Sequence, residues 1–421
     1  MSAIRDANLA PVPEFDTRIK ERHARGKRRL ALFLAATLFS VLSLGTLIAS
    51  IVNDAFGYVL LENTVEPETL APGGNFAALD KVELVEILRA NVSRRFLMKL
   101  DSDAPLADRP KDDLIDLVRT EVVDPVVKKT WNLSDSLLHG KGIVAWAAQN
   151  SPKGHVEFRS WLNADFVRRS QASVAIDAGV RGAAFGSFLT ILITILFAFP
   201  IGIGAAIYLE EYAGDTRLNR IIQTNIYNLA GVPSIIYGML GLAIFVRGME
   251  PITSGALFGA VADPSTANGR TIFSAGLTLA LLILPVIIIN AQEALRAVPA
   301  SLRYSSYAVG ATRWQTIWHH VLPASMDRIL TGTVLAVSRA VGETAPLVVV
   351  GAPAFLTQDP TGIFSKFTTL PIQIYQWTAR PQAEFRNAAA AAILVLLALL
   401  MTLNASAILL RNHYRKNKRL G

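Results

Sequence analysis

Two opposite charges lie four residues apart inside one of the most apolar parts of this sequence. Arg339 and Glu343 belong to the run SRAVGETAPLVVVGA at 338–352. Residues at this spacing share one face of a helix, so the pattern predicts an ion pair. Arg339 follows Arg328 by 11 residues, which places it about 16 Å along a helical span at 1.5 Å per residue. An arginine at that depth costs about 2.5–3.5 kcal/mol on insertion scales, which favours a functional interpretation.

A guanidinium near the middle of a membrane is well suited to an oxyanion. Its planar fork offers paired donors to a tetrahedral anion, and it stays charged at any working pH. Glu343 would hold Arg339 while no anion is present and would weaken the grip on the anion, so that the anion can leave. Thr344, the next residue of the motif, joins the same candidate pathway. The pair also fits a buried ion pair that only fixes helix packing, but the pattern favours the anion pathway.

The run GVPSIIYGMLG at 231–241 is a second place where an apolar stretch contains polar groups. Pro233 is expected to interrupt the helical hydrogen bonds there, and Ser234 and Tyr237 would offer hydroxyl donors to the pathway at the break. The glycines of this run would let neighbouring helices approach closely. Because Pro and Gly are common in membrane helices, the run alone is weak evidence for a site. The glycines are Gly231, Gly238 and Gly241.

The segment 293–325, called the coupling loop below, contains two short amphipathic stretches between apolar ones. They are expected to be helices at Ser305–Val309 and Trp314–Val321, joined at Gly310. Glycine can take the left-handed conformation that ends one helix and turns into the next. Pro323 is expected to stop the second helix before the next span. Exposed aromatic side chains in such a loop fit either an interfacial helix or a docking surface for a soluble partner; they are Tyr304, Tyr307 and Trp314.

The composition indicates a membrane protein. Hydrophobic residues make up 52% of the 421 residues, charged residues make up 18%, and the mean hydropathy is +0.37. A soluble fold cannot bury that much apolar surface. A bilayer core of about 30 Å needs roughly 20 mostly apolar residues per helix, and six stretches predict an all-α membrane protein with six transmembrane helices. They are Leu30–Val52, Val180–Tyr208, Ile226–Val246, Thr271–Ala291, Ile329–Val350 and Ala388–Leu410.

Basic residues flank the first and last apolar stretches and predict the orientation. They cluster at 20–29 and 411–419, so the tails 1–29 and 411–421 are both expected in the cytoplasm. The first stretch is expected to remain as an uncleaved anchor, because its apolar run is longer than that of a signal peptide. The segment 53–175 is then expected to be a small, mostly helical extracytoplasmic insertion, with the chain in the cytoplasmic (inner) membrane.

Several chemistries are excluded or disfavoured by what the sequence lacks. It has no cysteine, which excludes disulfides and thiolate metal ligands. It has no GxxxxGKS/T, HExxH or GxSxG motif, so no catalytic, cofactor-binding or metal-binding residue is predicted and the chain is not expected to be an enzyme. The net charge of +8 is better explained by an anionic membrane surface than by nucleic acid, because the basic residues flank apolar stretches.

The coupling loop resembles that of ABC importer permeases, in which Glu-Ala-Ala is followed by a glycine and a late Leu-Pro. Gly310, Leu322 and Pro323 match this pattern. The sequence departs from it at 304–306, where Tyr-Ser-Ser replaces Glu-Ala-Ala, and at His320, where isoleucine is usual. The resemblance implies that the loop contacts a separate ATPase. The residues implied in this contact are Tyr304, Tyr307, Gly310, Ala311, Trp314, Leu322 and Pro323.

Over roughly residues 180–421 the chain is similar to the PstA family of phosphate permeases, within the binding-protein-dependent ABC importer permeases. The similarity lies in GVPSIIYG, LPVIIINAQEALRAVPASL, YAVGATRWQTI, SRAVGETAPL and PIQIYQW. It implies a MetI-like permease core at 180–410 that transports inorganic phosphate. It also implies four partner subunits: a PstC-like second permease, two PstB-like ATPases that use the ATP, and a PstS-like extracytoplasmic phosphate-binding protein. The insertion is longer than the usual first external loop of this family.

Three alternatives stay open on the residues alone. Another oxyanion, such as phosphonate or molybdate, would suit the same arginine. A membrane-anchored sensor would use the segment 53–175, which has no convergent catalytic set. A transporter driven by an ion gradient is also compatible with the spans and charges.

Overall fold

The computed structural model describes residues 19–103, 105–260, 268–352, 356 and 359–417. The chain divides into two units after residue 51. The described part of the first unit is helical and belongs to α1 (Ile19–Ala55), which includes the apolar stretch predicted at Leu30–Val52. The predicted cytoplasmic tails extend into 1–18 and 418–421, which lie outside the described residues.

A three-stranded antiparallel sheet lies in the predicted insertion. The central strand β1 (Phe56–Asn63) pairs with β2 (Pro125–Thr130) on one side and β3 (His155–Ser160) on the other, and Leu60 lies opposite Val156. The sheet was not predicted. The centre of β1 is a continuous buried apolar run rather than an alternating one, and periodicity alone cannot assign such a run to a strand.

Short helices make up most of the remaining insertion, as predicted. Leu84, Leu88 and Leu114 are fully buried and form a small core of their own. Asp124 has a left-handed backbone with φ 36° and ends one helical run directly before β2. These helices are α2 (Pro67–Leu70), α3 (Lys81–Asn91), α4 (Arg94–Asp103), α5 (Lys111–Val118), α6 (Leu133–Leu138), α7 (Gly140–Asn150) and α8 (Ala164–Arg168).

The predicted core, from residue 181 onward, is helical in the regular elements that the structure describes. These are α9 (Arg181–Ile207), α10 (Arg217–Ala230), α11 (Ser234–Gly241), α12 (Glu250–Thr253), α13 (Ile272–Arg296), α14 (Ala300–Ala308), α15 (Arg313–Thr316), α16 (Leu322–Gly342), α17 (Ala345–Val350), α18 (Leu370–Thr378) and α19 (Glu384–Asn417). The most buried long helix is α13, which packs against α9 and α16. Thr194 of α9 donates to the carbonyl of Gly276 in α13 at 3.0 Å. A hydroxyl buried between apolar helices thus finds an acceptor, as it must where water is absent.

Four helices of the described chain are long and apolar enough to cross a membrane. A fifth span is present if α10 and the helical segment Ser234–Gly248, which meet at a bend of 107°, are counted as one. The predicted span Ile226–Val246 falls on this bent pair, and the predicted number of six spans is not confirmed. The four helices are Glu21–Ala55, Arg181–Tyr212, Ile272–Arg296 and Glu384–Leu409.

The predicted span Ile329–Val350 is not one continuous helix. The structure ends α16 at Gly342 and starts α17 at Ala345, with Glu343 in an extended conformation between them. The cause is Pro346, which has no N–H for the carbonyl of Gly342 and whose ring would clash with it in a continuous helix.

Candidate functional site

The bend between α10 and α11 lies where Pro233 was predicted to interrupt the helix. A proline there cannot donate to the carbonyl of Leu229, four residues earlier. That carbonyl accepts from the N–H of Val232 at 3.0 Å and from the hydroxyl of Tyr237 at 2.8 Å, and the side chain of Tyr237 is buried. Tyr237 therefore stabilises the bend, and in this structure its hydroxyl proton is donated within the chain. Ser234, in the first turn of α11, is half-buried and stays a predicted pathway residue.

Two of the three glycines in the GVPSIIYGMLG run make close contacts between helices. A Cβ at Gly238 would lie 2.6 Å from the Cα of Pro346, and one at Gly241 would overlap the hydroxyl oxygen of Thr278. Neither position can accept a side chain without movement of its neighbour. Gly231 has no such contact. The structure thus packs α11 directly against the segment that follows Glu343.

Replacing Gly238 with alanine should destabilise the protein by about 1–3 kcal/mol, because the added methyl group must push the backbone of Pro346 away. The measurement is the thermal unfolding temperature of the detergent-solubilised protein. Gly231→Ala is the matched control, since its Cβ would lie 3.5 Å from its nearest neighbour, the carbonyl of Asn228. Equal shifts for the two variants would contradict the proposed close contact.

The predicted pair of Arg339 and Glu343 is present. The Nε of Arg339 lies 3.5 Å from a carboxylate oxygen of Glu343, and the two side chains are 56% and 19% exposed. The prediction that the two residues share one face of a helix is wrong, because Glu343 lies just beyond the last residue of α16. The contact has the length of an ion pair rather than of a short hydrogen bond. The side chain of Arg339 remains largely exposed on the surface of this chain.

The interruption at residues 343–344 brings part of the predicted pathway together. Thr344 is half-buried beside Glu343, at the start of α17. In the described part of the chain no hydrogen bond joins Arg339 to Ser234 or Tyr237. The contact between α11 and α17 places these two groups of residues on adjacent segments, and it does so through Gly238 rather than through the polar side chains.

The coupling loop has the predicted helix–turn–helix form. Gly310 has φ 85°, a left-handed conformation, and separates α14 from α15. Its neighbour Ala311 donates its N–H to the carbonyl of Ser306 at 3.2 Å. Across the turn the hydroxyls of Ser306 and Thr316 share a hydrogen bond of 2.9 Å inside the fold. The two helices are therefore held together as one unit.

Pro323 does not stop the second helix, which corrects the prediction. The helical backbone runs on from α15 through a π-helical segment, Ile317–Val321, into α16. In the wider turn the N–H of Leu322 bonds to the carbonyl of Ile317. A π-helical turn just before a proline gives the proline ring room next to the preceding turn, which explains why the helix continues.

The coupling loop exposes five large apolar or aromatic side chains, and we call these residues together the aromatic face. The rings of Trp314 and Trp318 stack with their centroids 5.5 Å apart, and each ring is more than half exposed. Exposed aromatic clusters of this kind are typical of protein interfaces. The members of the aromatic face are Tyr304, Tyr307, Val309, Trp314 and Trp318.

Two consecutive glutamates in the π-helical segment Tyr208–Tyr212, which directly continues α9, bind the coupling loop. Glu211 accepts from the guanidinium of Arg303 at 2.6 Å, and both side chains are largely buried. Arg303 also donates to the carbonyls of Val298 and Leu295. The hydrogen bond with Glu211 raises the pKa of Arg303 above its usual value. The guanidinium of Arg303 therefore stays charged at any working pH, and its contact with Glu211 fixes α14 to the helical segment that contains the two glutamates.

The second glutamate makes a more exposed pair. Glu210 accepts two hydrogen bonds from Arg296, at 3.0 and 2.8 Å, and the arginine side chain is 63% exposed. Neither pair was predicted. The only signal in the sequence is a Glu-Glu dipeptide at the end of an apolar stretch, in a chain whose next loop contains arginines.

Residues 198–419, just over half of the chain, match the model of the family called binding-protein-dependent transport system inner membrane component. The chain belongs to this family. It is therefore a permease of the ABC importer class, as the motifs of the coupling loop predicted, and several helices of the described structure are apolar enough to span a membrane.

The relatives include phosphate permeases. The chain is 30% identical over 260 residues to the probable ABC transporter permease YqgI of Bacillus subtilis. The aligned residues cover 58% of this chain and 83% of YqgI. It is 35% identical over 244 residues to the phosphate transport system permease PstA 1 of Mycobacterium tuberculosis, covering 58% and 72%. The phosphate transport system permease PstC of Pasteurella multocida is 35% identical over 193 residues, covering 44% and 59%. The predicted similarity to PstA is confirmed.

Proposed function

We propose that this chain is the membrane subunit that moves inorganic phosphate through an ATP-driven importer. The observation behind the proposal is the exposed guanidinium of Arg339, which is paired loosely with Glu343 at the interruption after α16. A phosphate approaching from an aqueous path would find paired donors already oriented by a carboxylate. Similarity to PstA supports phosphate as the anion.

The pair would work as a temporary site. With no phosphate present, the carboxylate of Glu343 lowers the free energy of the Arg339 cation in an apolar environment. When phosphate binds, the guanidinium exchanges one carboxylate oxygen for the oxygens of the anion, and Glu343 then limits the affinity by repulsion. Release needs such a limit, because a site that binds too tightly does not conduct.

The aromatic face is the proposed contact with the ATPase. Its side chains are exposed in this chain, and the ion pair of Arg303 and Glu211 connects it to α9. A push on the loop would thus reach α9 directly and α16 through the continuous helix from Arg313 to Gly342. In this proposal the whole importer contains a PstC-like permease, two PstB-like ATPases and a PstS-like binding protein. ATP is used by the ATPases, both termini lie in the cytoplasm, and the insertion lies outside the inner membrane.

The test combines purification with uptake. Recovery of the tagged full chain from membranes with a P-loop ATPase and a second permease would support the importer, and recovery alone would contradict it. Uptake of radiolabelled phosphate by the reconstituted complex should then be inhibited by unlabelled phosphate but not by equal concentrations of phosphonate or molybdate. Stronger inhibition by either of these anions would identify that anion as the substrate and contradict phosphate, while the assignment as an importer would stand.

Replacing Gly310 should uncouple uptake from ATP hydrolysis in an order set by the backbone. Alanine at this position is expected to raise the free energy of the left-handed turn by about 1–2 kcal/mol, and asparagine by less. Proline is expected to raise it most, because its φ is fixed near −65°. No atom lies within 4 Å of a Cβ at this position, so the effect is conformational rather than steric. Phosphate-stimulated ATPase activity of the reconstituted complex should therefore fall from Gly310 to asparagine, alanine and proline.

Gly214→Ala is the matched control for this series. A Cβ at Gly214 also meets no atom within 4 Å, and its φ is not in the left-handed region. Its stimulated ATPase activity should match that of the unmodified protein. Full stimulation of the Gly310→Pro complex would show that the turn does not transmit the ATPase signal.

A further inference from the structure

The tip between α6 and α7 in the insertion exposes a group of large apolar side chains. Leu137 and Leu138 are 73% and 77% exposed, and Val144 is 51% exposed. They border an open groove of about 920 Å³, which Tyr58 and Lys141 also line. Single exposed leucines are ordinary on a protein surface, but a contiguous group beside a groove marks a binding surface.

Hydrogen bonds place this tip at the level where apolar segments end. The N–H of Ser134, in the first turn of α6, donates to the side chain of Asn53 at 2.7 Å. The side chain of Asn387 donates to the carbonyl of Asp54 at 2.7 Å. Asn387 directly precedes the apolar stretch of α19, and Asn53 directly follows Val52, the last residue of the first apolar stretch. α6 therefore starts beside the boundary of the hydrocarbon layer.

The distance of Leu137 and Leu138 from this boundary is no greater than the thickness of the headgroup layer of a bilayer. Leu137 and Leu138 lie three and four residues beyond Ser134, which is about 5–6 Å along a helix. The headgroup layer on each side of the hydrocarbon core is about 5–8 Å thick. The two leucines thus remain within reach of lipid whatever the tilt of the short helix.

The neighbouring side chains are those that membrane interfaces favour. The rings of Trp131 and Trp146 meet edge to face, with centroids 5.7 Å apart. The ammonium of Lys129 lies 4.0 Å from the centroid of Trp146 and 5.2 Å from that of Trp131. Tryptophan and lysine are typical of the boundary between hydrocarbon and headgroups, where rings meet apolar chains and cations meet phosphates.

We propose that Leu137, Leu138 and Val144 insert into the phospholipid leaflet on the side of the membrane where the insertion lies, with Lys129 and Lys141 at the level of the lipid phosphates. The insertion is then attached to the bilayer at a point separate from the spans. This inference depends on the chain being a membrane permease and not on phosphate being its substrate.

The absence of cysteine from the sequence allows a direct test. A single Leu138→Cys variant of the full chain is labelled with an environment-sensitive fluorophore and placed in nanodiscs that contain brominated phospholipid. The expected result is a blue-shifted emission that the bromines quench and that aqueous iodide does not. Val144→Cys gives an independent second label in case the first variant does not fold.

Val82→Cys is the matched control. Val82 is 69% exposed and lies on α3, in the small helical core that follows β1. Among the described residues, the core that includes α3 has no member from α6 or α7, so this label should be quenched by iodide and not by brominated lipid. Quenching by lipid at 138 and 144 but not at 82 supports the proposal. Equal lipid quenching at all three positions, iodide quenching at all three, or protection of 138 and 144 from both quenchers, which would indicate a protein partner, would each overturn it.

Discussion

Arg339→Gln should lower phosphate uptake about 10- to 100-fold, because a hydrogen-bonded charge contributes about 1.5–3 kcal/mol and each 1.4 kcal/mol is tenfold. Glutamine keeps the length and polarity of the side chain but has neither the charge nor the fork of donors. Arg339 is exposed at the end of α16 and has one ion pair of 3.5 Å, so assembly of the complex should not change. The measurement is uptake of radiolabelled phosphate at equal amounts of co-purified complex.

Two further variants make this test specific for Arg339. Arg328→Gln removes the same charge from another exposed position of the same helix and should leave uptake near normal. Arg339→Lys keeps the charge but loses the planar fork, so an intermediate uptake is expected. Normal uptake by Arg339→Gln would remove this residue from the pathway, and an equal loss in Arg328→Gln would indicate a general effect of charge.

Glu211→Gln should destabilise the protein by about 3 kcal/mol and weaken the response of the ATPase to phosphate. Breaking a buried ion pair leaves an uncompensated charge and costs about 3–5 kcal/mol. The low end applies because Arg303 keeps its hydrogen bonds to the carbonyls of Val298 and Leu295. The two measurements are the unfolding temperature in detergent and the phosphate-stimulated ATPase activity of the complex.

Glu210→Gln is the natural control because it makes the same change one residue earlier. Its partner Arg296 is mostly exposed, and exposed pairs contribute about 0–1 kcal/mol. The unfolding temperature should therefore fall little in Glu210→Gln and much more in Glu211→Gln. If the unfolding temperature falls at Glu211 while stimulation of the ATPase is unchanged, the pair stabilises the loop without transmitting the signal.

Local sequence rules predicted much of the candidate site. The spacing of Arg339 and Glu343 predicted their ion pair, and Gly310 has the left-handed backbone expected of it. Pro233 coincides with the bend between α10 and α11. Each of these depends on residues within about one helical turn of one another, where backbone geometry leaves few choices.

The contacts made by Glu211 in the coupling loop and by Tyr237 at the bend were not predictable in this way. Glu211 and Arg303 are 92 residues apart, and nothing in either local pattern names the other as its partner. Tyr237 was expected to offer its hydroxyl to the pathway, but the hydroxyl donates to the carbonyl of Leu229 across the bend. Both outcomes depend on how segments pack, which periodicity does not specify.

The sequence by itself determined that this chain is a membrane protein with apolar helices, a glycine turn in the coupling loop and a charged pair in an apolar segment. Hydropathy and short spacings are local properties, and they persist in whatever arrangement the helices adopt. Only the tertiary structure decided that α16 ends at Gly342, that α11 packs on α17, and that a sheet lies in the insertion. These features depend on contacts between distant residues, whose energies the order of residues along the chain does not display.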